Sequence, residues 1–113
     1  MDDLKKQVEK LKLNALAQHI FICADQSKPK CCDKDFSNEI WEYLKEKISS
    51  LPNEIVVHRT KANCLRVCKK GPIVVIYPEG VWYHSVDKSV IDKIIEVHIL
   101  QKKIVLENLL AMR

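Results

Sequence analysis

Short β-branched runs alternate here with stretches of helical period, which predicts an α/β fold: a four-stranded mixed sheet flanked by helices, with an extra N-terminal helix. Three observations carry that prediction. The runs His19–Cys23 and Glu54–Lys61 bracket one amphipathic stretch, the pattern of a β-α-β unit. Two more runs meet at Pro78-Glu79-Gly80, the pattern of a hairpin. A last amphipathic stretch follows Asp87.

Taken in order, Leu4, Val8, Leu11, Ala15 and Leu16 recur at helical spacing behind Asp2 and Asp3, whose carboxylates suit the positive end of a helix dipole. Residues 3–17 are therefore predicted as an amphipathic helix. His19-Ile20-Phe21-Ile22-Cys23 reads as a buried strand that ends at the cysteine. The polar, proline-containing stretch 25–30 is a loop. Ile40, Trp41, Leu44, Ile48 and Leu51 share one face of a helix that starts near Ser37 and stops at Pro52-Asn53. Ile55, Val56 and Val57 mark the second strand, and residues 62–71 form a loop closing at Gly71-Pro72. Strands at Ile73–Tyr77 and Val81–Val86 make the hairpin, and Asp87 caps a helix bearing Val90, Ile91, Ile94, Ile95 and Ile99. The tail, with Ile104, Val105, Leu106, Leu109 and Leu110, fits helix and extended packing equally. The expected organisation is a helical extension over 1–18, the α/β domain over 19–100, and a tail over 101–113 packed on the domain or on a dimer partner.

With 113 residues, 47% apolar and 30% charged, the chain can fill one modest core but not two. Its longest apolar stretch, Ile73 to Tyr77, is far short of the roughly 20 residues of a membrane span, so no membrane role is expected. A net charge of +4 without a dense Lys/Arg run argues against nucleic acid and suits an acidic protein partner. The five cysteines are an odd number, and the N-terminal MDDLKKQVEKLKLNALAQ has no continuous apolar core of an export signal. A cytoplasmic protein is expected.

The cysteines fall in two groups, Cys23 with Cys31 and Cys32, then Cys64 with Cys68. A right-handed β-α-β crossover leaves its strands parallel, so both end at one sheet edge. An antiparallel third strand begins at that edge too. The two cysteine loops therefore lie side by side. Disulfides fit poorly with the odd number. A redox dithiol normally uses Cys-x-x-Cys at a helix N-terminus, a spacing absent here. Structural zinc draws on two knuckles with two to four residues between ligands, and only Cys64 with Cys68 supplies one. A [2Fe-2S] cluster takes two thiolates per iron, which one short pair and one looser pair satisfy.

The strand His19–Cys23, the stretch Cys32 to Trp41, the run Asn63-Cys64-Leu65-Arg66-Val67-Cys68-Lys69-Lys70-Gly71-Pro72 and the run Val75-Ile76-Tyr77-Pro78-Glu79-Gly80-Val81-Trp82-Tyr83 resemble the thioredoxin-like [2Fe-2S] ferredoxins. The resemblance spans about residues 19–100. It implies a thioredoxin-like fold, a homodimer, and a one-electron carrier that exchanges electrons with redox proteins and performs no substrate chemistry. It also implies four cluster ligands: Cys23, Cys64, Cys68 and one of the vicinal pair. Counting back from Glu39 and Trp41 puts Cys32 in register as the second ligand, with Cys31 a spare thiol. The alternatives are a metal-stabilised adaptor, holding zinc or a trapped cluster, and a thioredoxin-like dithiol protein.

Other residues read more plainly. Trp41, Trp82 and Tyr83 are expected in core or interface packing, Trp82 and Tyr83 as part of a dimer surface. His58 and His84 lack metal-like spacing. The N-terminal helix is expected to lie on the sheet or on a dimer surface. Lys28, Lys30, Lys34, Lys61, Arg66, Lys69 and Lys70 outnumber Asp25, Asp33 and Asp35 around the cysteine loops, a basic rim suited to an anionic centre and to redox partners with an acidic docking surface.

Overall fold

A computed structural model describes residues 1–24, 34–62 and 70–113. Cys31, Cys32, Cys64 and Cys68 lie outside these residues, as do Lys28, Lys30, Arg66 and Lys69. The elements run α1 (Asp2–Leu11), a single 3-10 turn at Leu13–Ala15, β1 (Gln18–Cys23), α2 (Lys34–Ser49), β2 (Val57–Ala62), β3 (Val74–Tyr77), β4 (Val81–Tyr83), α3 (Lys88–Lys93) and β5 (Leu109–Met112). Beyond α3 the helix continues in wider turns over Ile94–Leu100.

The strands form one sheet in the order β2-β1-β3-β4-β5. β1 and β2 are parallel, as a crossover through α2 requires, and the remaining pairs are antiparallel. The sheet thus has five strands where the apolar runs predicted four. The tail supplies the fifth, pairing Met112 with Val81 and Ala111 with Trp82. Its period could not be read because β5 is an edge strand with only Leu109 half-buried, so burial imposes no alternation there.

Register sorts the side chains between two faces. Ile20, Ile76 and Val81 align across the sheet, as do Ile22, Val74 and Tyr83, and all six are buried. Ile40 and Leu44 of α2 and Val90, Ile91 and Ile94 of the last helix close over them in one core. Truncating one of these isoleucines to alanine costs about 2–5 kcal/mol. The opposite face carries the row Thr60, Phe21, Val75, Trp82, Ala111, with His58, His19 and Tyr77 beside it. Phe21 and Trp82 are only half-buried there, and Tyr77 is 38% exposed.

Two local signals act as the sequence predicts. The Asp87 carboxylate accepts from the Val90 N–H at 2.9 Å, capping α3. Gly80, at φ 69°, closes the β3–β4 turn in the left-handed region where a side chain is disfavoured. Four boundaries move by three residues or more. β4, expected to run to Val86, ends at Tyr83, since Ser85 turns left-handed at φ 53°. α1 stops at Leu11, because Lys12 turns left-handed at φ 55°. α2 begins at Lys34, ahead of the apolar face that starts at Ile40. β2 begins at Val57, and Ile55 closes a turn by donating its N–H to the Pro52 carbonyl.

Candidate metal centre

β1 and β2 end together. Cys23 is the register partner of Ala62, and the Ala24 N–H donates to the Ala62 carbonyl at 2.8 Å. Ala24 is the last described residue before the segment that carries Cys31 and Cys32, and Ala62 the last before the segment that carries Cys64 and Cys68, so both segments start from one hydrogen-bonded point on the sheet edge. α2, which runs back along the sheet, starts at Lys34, two positions after Cys32 in the sequence.

Cys23 is 1% exposed, and its Sγ accepts from the Ile73 backbone N–H at 3.0 Å. The Cys23 N–H returns a bond to the Ile73 carbonyl at 3.1 Å, so the two residues are locked together. The segment carrying this donor is itself fixed. Ser85 donates to the Lys70 carbonyl at 2.6 Å and Val86 to the Pro72 carbonyl at 3.1 Å. Ala24, its chain neighbour, and Ile73, its hydrogen-bond partner, are fully buried, and in such surroundings an N–H···S bond is stronger than it would be in water.

A buried sulfur holding a backbone N–H suits a metal-bound thiolate, since each such bond favours the charged form over the thiol. Cysteine sulfur is also the donor chosen by iron–sulfur clusters and zinc. The described part of the site therefore fits a thiolate-bound metal centre. Ile73 is the contact of Cys23 that the sequence reading missed. No side-chain type marks a backbone donor, and the hint was only that residue 73 re-enters the sheet opposite Cys23.

The remaining expectations divide. Trp82 faces the open side of the sheet, half-buried. Tyr83 does not join it: it is fully buried in the core, and its Oη lies 2.6 Å from His98 Nδ1, which corrects the expectation that Tyr83 belongs to a dimer surface. Alternation along β4 requires this, because adjacent strand residues point to opposite faces. His84 lies just past β4 and contacts its neighbour Ser85 at 2.9 Å. Trp41 is half-buried, with the Lys45 ammonium and the Arg59 guanidinium 5.6 Å and 5.8 Å from its ring centre. Lys70 is exposed at the rim.

Against known proteins, the chain is 38% identical over 94 residues to a 2Fe-2S ferredoxin of Clostridium pasteurianum, a match covering 77% of this chain and 89% of the relative. The chain belongs to this ferredoxin family. A 2Fe-2S ferredoxin of Aquifex aeolicus (strain VF5) is 33% identical over 87 residues, covering 73% of this chain and 78% of the relative. The solved structure of a thioredoxin-like [2Fe-2S] ferredoxin from Aquifex aeolicus superposes with a TM-score of 0.76 at 29% identity, covering 86% of this chain and 93% of that one. The ferredoxin's α/β core is thus thioredoxin-like, with α1 ahead of it. No family model matches the chain. Among the described residues, no helix is long and apolar enough to cross a membrane.

Proposed function

We propose that this ferredoxin carries one electron at a time on a [2Fe-2S] cluster held by Cys23, Cys32, Cys64 and Cys68, and performs no substrate chemistry of its own. The observation that carries the reading is the buried Cys23 sulfur, hydrogen-bonded to Ile73 N–H at the edge from which both cysteine loops depart. When bound, the cluster supplies a one-electron couple. The chain's own residues do the rest. Ile73 N–H stabilises negative charge on the Cys23 sulfur, which is itself buried from water. The paired ends of β1 and β2 fix where the two cysteine-bearing segments begin.

The deciding experiment is preparation without air, followed by a visible spectrum and iron and acid-labile sulfide analysis. Red-brown protein with about two irons and two sulfides per chain is expected. Colourless protein holding one zinc would identify a metal-stabilised adaptor instead, and protein free of metal with a reducible dithiol would identify a thioredoxin-like redox protein. A redox titration separates carrier from adaptor, since zinc is redox-silent.

The same reading places the protein in the cytoplasm, where thiols stay reduced. It makes 19–100 the cluster-bearing domain, with 1–18 and 101–113 as additions. Its redox partners present acidic surfaces to a basic rim that includes Lys70. It also makes the ferredoxin a homodimer through the open sheet face, supported by the apolar row Phe21, Val75, Trp82 and Ala111, flanked by Tyr77. Light scattering at micromolar concentration tests this, and a monomer mass would refute it.

A further inference from the structure

α1 ends beside the open sheet face and uses almost none of its apolar side chains within the protomer. Met1, Leu4, Val8 and Leu11 recur at alternating intervals of three and four, the heptad seam by which a helix packs on another chain. A helix laid on its own sheet shows a broader stripe. No residue of α1 is buried. Leu4 is 60% exposed and Leu11 37%, while Val8 is half-buried. A helix of ten residues is marginal in water by itself, so this one needs a cover.

Three observations say what covers it. The seam is anchored on the open face: the His58 Nε2–H donates to the Leu11 carbonyl at 2.7 Å, and His58 lies beside His19 in the parallel register of β2 and β1. A copy of the chain seated on that face meets α1 directly. The anchor stands near the start of β2, at the end of the sheet away from Cys23, so the seam is not part of the cysteine edge. The helix also balances Asp2, Asp3 and Glu9 against Lys5, Lys6 and Lys10, and so offers no single-sign field to select an acidic protein or an anionic surface.

We infer that α1 is a clasp for a second copy of this chain, its Met1-Leu4-Val8-Leu11 seam packing on the neighbouring protomer when two open faces meet. The inference rests on the homodimer reading above. Two-fold symmetry supplies the clasp twice, one helix from each protomer.

Sedimentation of the full-length, cluster-loaded protein from nanomolar to micromolar concentration tests it, comparing wild type with the double variant Leu4→Glu/Leu11→Glu. Both side chains are exposed in the protomer, so helicity and visible spectrum should stay as in wild type. The dissociation constant should rise on the order of 100-fold, since two leucines per helix lose their cover. In wild type, the α1 amides should gain protection from hydrogen exchange as concentration rises, and in the variant they should not. Trp82→Glu, on the open face, should separate the protomers with the seam intact. A wild-type dimer whose dissociation constant stays within threefold in the variant, or whose α1 exchange ignores concentration, overturns the clasp alone. A wild type that is monomeric throughout overturns the homodimer, and the clasp with it.

Discussion

Cys23 and His19 sit four residues apart on β1 and are held by different contacts. Cys23 receives a backbone N–H, which favours a charged sulfur. Replacing Cys23, Cys64 or Cys68 with serine should therefore abolish the cluster spectrum or shift it strongly, because the harder oxygen holds iron differently. Cys31→Ser should change little; bleaching by Cys31→Ser but not by Cys32→Ser would move the second ligand by one residue. His19 is kept neutral instead. Burial first, and then the nearby His58, hold its pKa below the ordinary value, while its Nε2 lies 2.7 Å from Thr60 Oγ1. In the unfolded chain the ring takes a proton near pH 6.5. Stability should consequently decline as pH falls below that value, levelling off only once the lowered folded pKa is passed. Denaturation curves between pH 7.5 and 5 should show a weaker decline in His19→Gln than in wild type.

Two elements each owe part of their stability to a polar contact that one substitution removes. The tail is tied down by Tyr83, whose Oη accepts from the Val105 N–H at 3.2 Å and so directs its own proton to His98 Nδ1, leaving the His98 Nε2–H to donate to Glu79 at 2.7 Å. Burial raises the Tyr83 pKa, which keeps the hydroxyl protonated for this role. Tyr83→Phe would strand the Val105 N–H and His98 Nδ1, at about 1–3 kcal/mol for an unsatisfied buried group. Faster amide exchange at Val105 and through β5 should report the loss; unchanged exchange there would show that β5 is held by its ladder with β4 alone. The last helix depends on its cap in the same way. The Val90 N–H bond holds the Asp87 carboxyl below the usual carboxylate range. Its contribution is present at neutral pH and is lost as pH falls through that lowered value. Asp87→Ala should cost roughly 1 kcal/mol in chemical denaturation at pH 7.

For the whole molecule, electrostatics should govern how a partner finds the cysteine edge. The Debye length falls from about 10 Å at 0.1 M salt to roughly 3 Å at 1 M, so steering by a basic rim predicts that most of the slowing of electron transfer falls in that range. Reversing Lys69 and Lys70 to glutamate should slow transfer at low salt and flatten its salt dependence, leaving the visible spectrum intact. Wild-type rates from those variants in low salt would make the rim ordinary solvated surface.

Much of this was open to reading from the chain alone, because it rests on local chemistry. The 3.6-residue period of Ile40, Leu44 and Ile48, the β-branched and aromatic run His19–Cys23, the Asp87 cap and the Pro78-Glu79-Gly80 turn each specify an element from neighbours in sequence. The cysteine motif and the Tyr77 to Tyr83 run placed the family by the same local means. Tertiary structure alone decided what depends on residues distant in the chain. It made β5 a strand by giving it β4 as a partner, turned Tyr83 inward toward His98, and brought Ile73 N–H to the Cys23 sulfur from fifty residues away. It also left α1 lying free of its own core, since a helix's apolar stripe records only that something covers it, and where that cover stands is a property of the folded surface.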